Sequence, residues 1–288
     1  MLPKILDIIN IFQNENDCLQ FLHDSDIFYH VQVCNECGSS VSLNNKSYRC
    51  TEGFCRKRIS LFSGTIFSKS RLKCNEVMHM AYLWLSGCNN STIMNMTGHS
   101  KQCISNFITL FRQVVATSLE TDDTVIGGEG IIVEIDESKF GKRKYNRGHR
   151  VEGVWVIGGV ERSAQRLMFA EVVERRDAVT LMEVISRHVA SGSIVYTDLW
   201  RGYSNLSEIL DVQHQTVNHS HHFVNPDDGT HTNTIEGTWN GMKLKTASRK
   251  RCRDGIEDHL FEFIWRRKND NDLWGGFINA LKSVQICE

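Results

Sequence analysis

The stretch IIVEIDESKF, residues 131–140, sets carboxylates inside a run that otherwise reads as a strand. Ile131, Val133 and Ile135 share one face of a period-two strand, and Ile132, Glu134 and Asp136 share the other. One face is apolar and the other turns ionic. In isolation this is an edge strand with a solvated face, so the rest of the chain must say what the acid is for.

Downstream, VEGVWVIGGVERSAQRLMFAEVVE predicts two more strands about a turn at ERSAQR, making an antiparallel meander over 131–174. DAVTLMEVISRHV, 177–189, has the spacing of an amphipathic helix. GSIVYTDLWRGYSNL then predicts a buried strand, Ile194 to Thr197, that delivers Asp198 at its carboxyl end. A strand, helix, strand passage returns the new strand beside an old one, normally as a right-handed crossover, which can bring Asp136 and Asp198 onto adjacent strands. A third acid, Glu236, opens a helix in HTNTIEGTWNGMKLK and shares a face with Trp239, Asn240 and Lys243. Three converging carboxylates repel one another unless cations sit between them, and two Mg²⁺ ions are the standard remedy in phosphodiester chemistry. Glu134 lies on the same face as Asp136 but earlier, and Glu137 points the other way. Both are second choices, and Glu134 is expected to be dispensable. His214, His219, His221, His222 and His231 cluster before Glu236 at irregular spacings, which reads as a polar loop, with His231 and Asn233 the exceptions to watch. Trp200 follows a strand and is expected to pack in the core.

The chain has 288 residues, 41 % of them hydrophobic, enough to bury a real core, and a formal net charge of −1. Charge is segregated: KFGKRKYNRGHR (139–150) and KLKTASRKRCR (243–253) are basic and free of acids, so phosphate contact is expected, with Lys142, Arg143 and Lys144 foremost. The N-terminal run ILDIINIF is interrupted by Asp7 and Asn10, so neither a signal peptide nor a membrane span is expected there, and the protein is expected inside the cell.

Ten cysteines in a reducing compartment favour metal ligation or buried thiols. Cys34, Cys37, Cys50 and Cys55 form a CxxC, a gap of twelve residues, then a CxxxxC. Four thiolates so spaced can close a tetrahedron around one Zn²⁺, and a closed four-cysteine site is structural. The other six keep the reading of ordinary thiols. Next, the run CNNSTIMNMTGHSKQCISNFITLFRQ predicts a helix from near Ser91, a break at Thr97–Gly98 and a second helix capped by Ser100. That pattern fits a helix-turn-helix, with Lys101 and Gln102 among the residues facing bases or phosphates. The expected organisation is an N-terminal helical lead (1–30), a zinc ribbon (31–73), a helix-turn-helix region (74–120), an acidic Gly-containing linker (121–130) and a catalytic domain (131–288).

The motifs EIDESKFGKRKYNRGHRVEGVWVIGGVER, YTDLWRGY and HTNTIEGTWNGMK, in this order and behind LFSGTIFSKSRL, resemble the DDE transposases of the Merlin superfamily and their bacterial insertion-sequence relatives of the ISXO2-like group. The resemblance spans roughly 30 to 265. It implies an α/β, RNase H-like core, a metal-binding triad of Asp136, Asp198 and Glu236, and a basic position at Lys243. It also implies two Mg²⁺ or Mn²⁺ ions at the catalytic site. The implied activity is cleavage at terminal inverted repeats of double-stranded DNA, followed by attack of the freed 3′ hydroxyl on target DNA, by a homodimer or higher oligomer. In a eukaryote the address is the nucleus. A host-recruited DNA-binding protein that keeps the fold without the chemistry, and a nuclease or resolvase that cuts without joining, are the alternatives.

Overall fold

The computed structural model describes residues 1–28, 30–68, 70–141, 153–218 and 230–284. The chain forms two units, Met1–Ser118 together with Asn269–Glu288, and Leu119–Lys268.

In the first unit the expected helical lead is a pair, α1 (Ile5–Gln13) and α2 (Glu15–Asp24). They break at Asn14, whose side chain accepts a hydrogen bond from Asn16 N and so caps the second helix. Strands β1 (Val41–Asn44), β2 (Ser47–Cys50) and β3 (Arg58–Ser60) pair antiparallel in that order, and α3 (Cys74–Leu85), α4 (Asn90–Thr97) and α5 (Lys101–Thr117) follow. Val77, Met78, Met80, Ala81, Leu83, Trp84 and Leu85 of α3 are all buried, as suits a helix apolar on most sides. Helix α4 stops at Gly98, whose φ of 73° costs a residue without Cβ nothing. The Ser100 hydroxyl accepts from Cys103 N at 3.3 Å and starts α5. The helix, turn, helix outline is therefore where the sequence places it.

The second unit runs β4 (Ile126–Gly127), β5 (Ile132–Phe140), β6 (Val154–Glu161), β7 (Met168–Val173), α6 (Ala178–His188), β8 (Val189–Ala190), β9 (Ile194–Asp198), α7 (Leu206–Ile209), β10 (Gln213–Val217), α8 (Asn233–Lys245) and α9 (Arg253–Lys268). Among the described residues one mixed sheet has the order β10-β9-β5-β6-β7. Its β5-β6-β7 half is the antiparallel meander, while β9 joins β5 and β10 joins β9 in parallel. The opening stretch is thus the middle strand, not an edge. One sheet face packs Val133, Ile135, Ile157 and Val195 against Leu181, Val184 and Ile185 of α6. The other packs Phe140, Val156 and Val160 against Ile235, Trp239 and Met242 of α8 and Ile256, Leu260 and Ile264 of α9.

Two boundaries differ from the sequence reading. The 121–130 linker is partly structured: Ile126 is buried, and β4 pairs in parallel with β8. The second unit closes at Lys268, not at residue 288 as the sequence reading has it. The last helix, α10 (Leu273–Ser283), belongs to the first unit, where the fully buried Phe277 meets Trp84 and Phe111 at ring-centroid distances of 5.9 and 5.6 Å. Among the described residues no helix is long and apolar enough to cross a membrane.

Candidate active site

Parallel pairing of β5 with β9 runs Ile132↔Ile194, Val133↔Val195, Glu134↔Tyr196. Two residues further along each strand stand Asp136 and Asp198. They are level with one another, on strands about 4.8 Å apart, and on the same sheet face, because Val133, Ile135 and Val195 occupy the opposite one. Asp198 is the last residue of β9, held by Trp200 N, which donates to its Oδ1 at 3.0 Å. Strand β5 does not end at Asp136 but continues to Phe140, paired there with β6 alone. Asp136 therefore marks the end of the β5–β9 ladder.

Helix α8 lies along that face in the direction of β5. Thr234 N and Ile235 N donate to Glu134 Oε2 at 2.8 and 3.0 Å, Trp239 Nε1 donates to Asp136 Oδ2 at 3.0 Å, and Lys243 Nζ donates to Ser138 Oγ at 2.6 Å. The match is geometric. Two residues of strand advance about 6.7 Å and four residues of helix about 6 Å, so every second strand residue meets every fourth or fifth helix residue. Glu236, exposed in the first turn of α8, is one helical turn before Trp239.

Burial pushes the Asp136 carboxyl up to about 6, and the neighbouring charges of Asp198 and Glu236 add to the rise. Lys243 is held below its ordinary value by burial, against the pull of Asp136. All three acids of the predicted triad, with Lys243, thus gather at one end of one sheet face. Among the described residues, the four thiols bring their metal-ligating atoms all within 4.8 Å of one another.

The sequence reading missed three contributors. Glu134 is fully buried; besides the two backbone N–H groups it accepts from the Thr234 hydroxyl at 2.7 Å and from Arg162 Nε at 2.6 Å. Arg162 also stacks on Tyr196 and donates to the His231 backbone oxygen at 3.0 Å. Glu134 is thus the anchor of the α8 N-terminus, a structural role the sequence reading did not assign to it. Gly158 stands opposite Asp136 on β6, and a Cβ there would lie 2.5 Å from the Trp239 ring and 2.9 Å from Phe169 O. Its missing side chain leaves room for the indole that holds Asp136. A signal was present: Glu134 shares the Asp136 face, and Trp239 shares the Glu236 face.

Glu137 faces the other way, as expected. Burial raises its carboxyl to about 7, and it accepts from the Tyr203 hydroxyl. Trp200 packs edge-on against Tyr203 with the Arg176 guanidinium 5.1 Å from its ring. His214 bonds Thr197 at 2.9 Å, and His231 turns to Arg162. Lys142, Arg143, Lys144, His219, His221 and His222 lie outside the described residues.

In the first unit Cys34, Cys37, Cys50 and Cys55 bring their sulfurs within 4.8 Å of one another, with Cys34 to Cys55 at 3.7 Å and Cys37 to Cys50 at 3.5 Å. The edge of a ZnS₄ tetrahedron with bonds of about 2.3 Å is about 3.8 Å, so the cluster fits a zinc ribbon. Lys101 and Gln102 are exposed at the start of α5, where Gln102 Nε2 donates to Asn106 Oδ1 at 2.8 Å.

The second unit thus carries acids at one end of a helix-covered face of a mixed sheet, and the four-thiol cluster precedes it in the chain. Residues 115–267 match the model of the ISXO2-like transposase domain, and an uncharacterized transposase-like protein of Haemophilus influenzae is 31 % identical over 103 residues, 35 % of this chain and 81 % of that protein. The chain belongs to the ISXO2-like transposase family. Membership in a transposase family carries DNA binding and DNA cleavage as its general activity.

Proposed function

We propose that this protein is a DDE transposase with an RNase H-like core, which cleaves double-stranded DNA at the terminal inverted repeats of its element and joins the 3′ ends to target DNA. The observation that carries this reading is the level placement of Asp136 and Asp198 on one sheet face, with Glu236 borne by the helix laid across it. Asp136, Asp198 and Glu236 would hold two Mg²⁺ or Mn²⁺ ions. Metal held by these three carboxylates would supply the Lewis-acid charge that lowers the barrier to phosphodiester attack. The chain's own part is positioning. Trp239 fixes the Asp136 carboxylate, Trp200 N fixes Asp198, Glu134 fixes the helix that carries Glu236, and Lys243 adds a cation where phosphate must come close.

Lys101 and Gln102 in the helix-turn-helix, and Lys142, Arg143 and Lys144 after β5, are the proposed DNA contacts. The four thiols hold one structural Zn²⁺, and the protein works on DNA as a homodimer or higher oligomer. The Merlin relationship belongs to the same proposal, as does a nuclear address in a eukaryotic host through the basic tract at 248–253. The test is to incubate the protein with its own repeat ends and Mg²⁺. Nicked and then joined products are expected. Nicks without joining would make it a nuclease, and binding without either would make it a DNA-binding protein on a transposase fold.

A further inference from the structure

The outward face of the ribbon sheet carries cations and no acid. Register sets Ser42 opposite Arg49 and Arg49 opposite Arg58 in one row, with Asn44, Ser47 and Ser60 in the next. Tyr48 and Cys50 of β2 point inward and are buried, while Arg49 and Arg58 are exposed. Like charges directly across neighbouring strands destabilise a sheet. Three other cations of this unit do have acid partners: Lys46 with Glu15 at 2.5 Å, Lys57 with Glu36 at 2.6 Å, Lys282 with Asp26 at 2.9 Å. Among the described residues neither the Arg49 nor the Arg58 side chain has an ion-pair or hydrogen-bond partner. Cys50 directly follows Arg49, so the thiol cluster pins the strand that holds the first guanidinium in register.

We infer that this face binds the phosphodiester backbone of double-stranded DNA, an inference that rests on the transposase reading and adds a contact surface to it. An anion laid along the row removes the repulsion between the two guanidinium groups, and the hydroxyls and amide of the second row are further phosphate donors. The composition selects the occupant. The two rows hold arginine, serine and asparagine and no aromatic residue for bases to stack on, which is what single strands require. Phosphate contacts carry no sequence information, so this surface supplies affinity, whereas the start of α5 supplies discrimination.

The experiment uses the intact, zinc-loaded protein and an end-labelled duplex, with binding followed by fluorescence anisotropy over a salt series. Arg49→Gln with Arg58→Gln should weaken binding to repeat-end and random duplex alike and lower the log–log salt slope by about 1.8, at about 0.9 per phosphate contact. Arg49→Lys with Arg58→Lys should keep most of the slope. In the wild-type protein, whose fold is not in question, bound duplex should protect both arginines from phenylglyoxal, read by mass spectrometry. An unchanged slope in the glutamine variant, or equal modification with and without duplex, overturns the inference. Protection by an acidic peptide but not by duplex overturns it too. If the wild type still nicks and joins repeat ends in those cases, the enzyme reading stands and the ribbon surface alone has failed. A wild type that neither binds nor cuts refutes both.

Discussion

Glu134 and Asp136 stand two residues apart on one strand face, under one helix, and their carboxylates are met differently. Glu134 receives four hydrogen bonds, including two from backbone N–H groups at the start of α8 and one from Arg162. Its charge is answered where the helix dipole favours an anion. Asp136 receives one side-chain bond, from Trp239, and faces two further acids. Because its folded-state value rises from 3.8 to about 6, the folded protein holds that proton more tightly than the unfolded chain does. Without metal, stability from this group is therefore lost as pH climbs through that window, and cations should restore it above. Asp136→Asn is expected to raise the unfolding free energy in EDTA at pH 7 by up to about 3 kcal/mol, at about 1.4 kcal/mol per pH unit, read from a urea melt. The same change should lower DNA cleavage by about three orders of magnitude or more in a gel assay. Glu134→Gln should act in the opposite sense on stability, at a cost of about 3 kcal/mol in urea unfolding, because Arg162 loses its charged partner. An unchanged unfolding midpoint would remove Glu134 from its anchoring role.

Helix α8 and strand β6 form the next level. Ile235, Trp239 and Met242 of α8 are buried against the sheet, each stabilising by about 1.5–3 kcal/mol, and this holds the polar ladder in place. The ladder requires Gly158 beneath the indole. Gly158→Ala is expected to cost about 1–3 kcal/mol, shift Trp239 away from Asp136 and reduce cleavage, since the obstructing atoms include backbone as well as ring. Unchanged tryptophan fluorescence and activity would show that the ring can yield freely. The ribbon strands have a different source of order. They are short, and their buried residues are chiefly thiols and Tyr48, so a metal held by the thiols would supply what a core does not. About one zinc per chain is expected by elemental analysis. Chelation should speed hydrogen exchange over 34–60 while leaving β5, β6 and β9 protected, and folded protein free of metal would refute this.

For the whole molecule, the consequential feature is that the chain crosses to its second unit at Leu119 and returns at Asn269. The N-terminal unit is therefore incomplete until the last helix is made. Phe277 fills the space between Trp84 and Phe111, while Trp274 lies against Phe12, Phe21 and Tyr82. Ending the chain after Lys268 should lower the stability of the N-terminal unit by several kcal/mol, at about 3–5 kcal/mol for each lost core aromatic. The calorimetric transition of the sheet unit should persist. A single unaltered transition in the truncated protein would contradict the division.

Much of this was legible in the sequence, because the signals are local. Period-two alternation and turn residues mark β5, β6 and β7, a helical period marks α6, and the placement of Asp198 and Glu236 at element ends follows from the flanking runs. The spacing of four cysteines, closed over 22 residues, names its own ligand set. Periodicity tells which face a residue occupies and not what covers that face. Glu134 meets Thr234 across 100 residues, and Asp136 meets Trp239 across 103. No local pattern distinguishes the acid that anchors a helix from the acid left facing other acids two residues later. The room that Gly158 leaves, and the return of α10 to the first unit, were likewise decided by tertiary packing, since an apolar stripe on a helix is complementary to any core and only the fold selects which one.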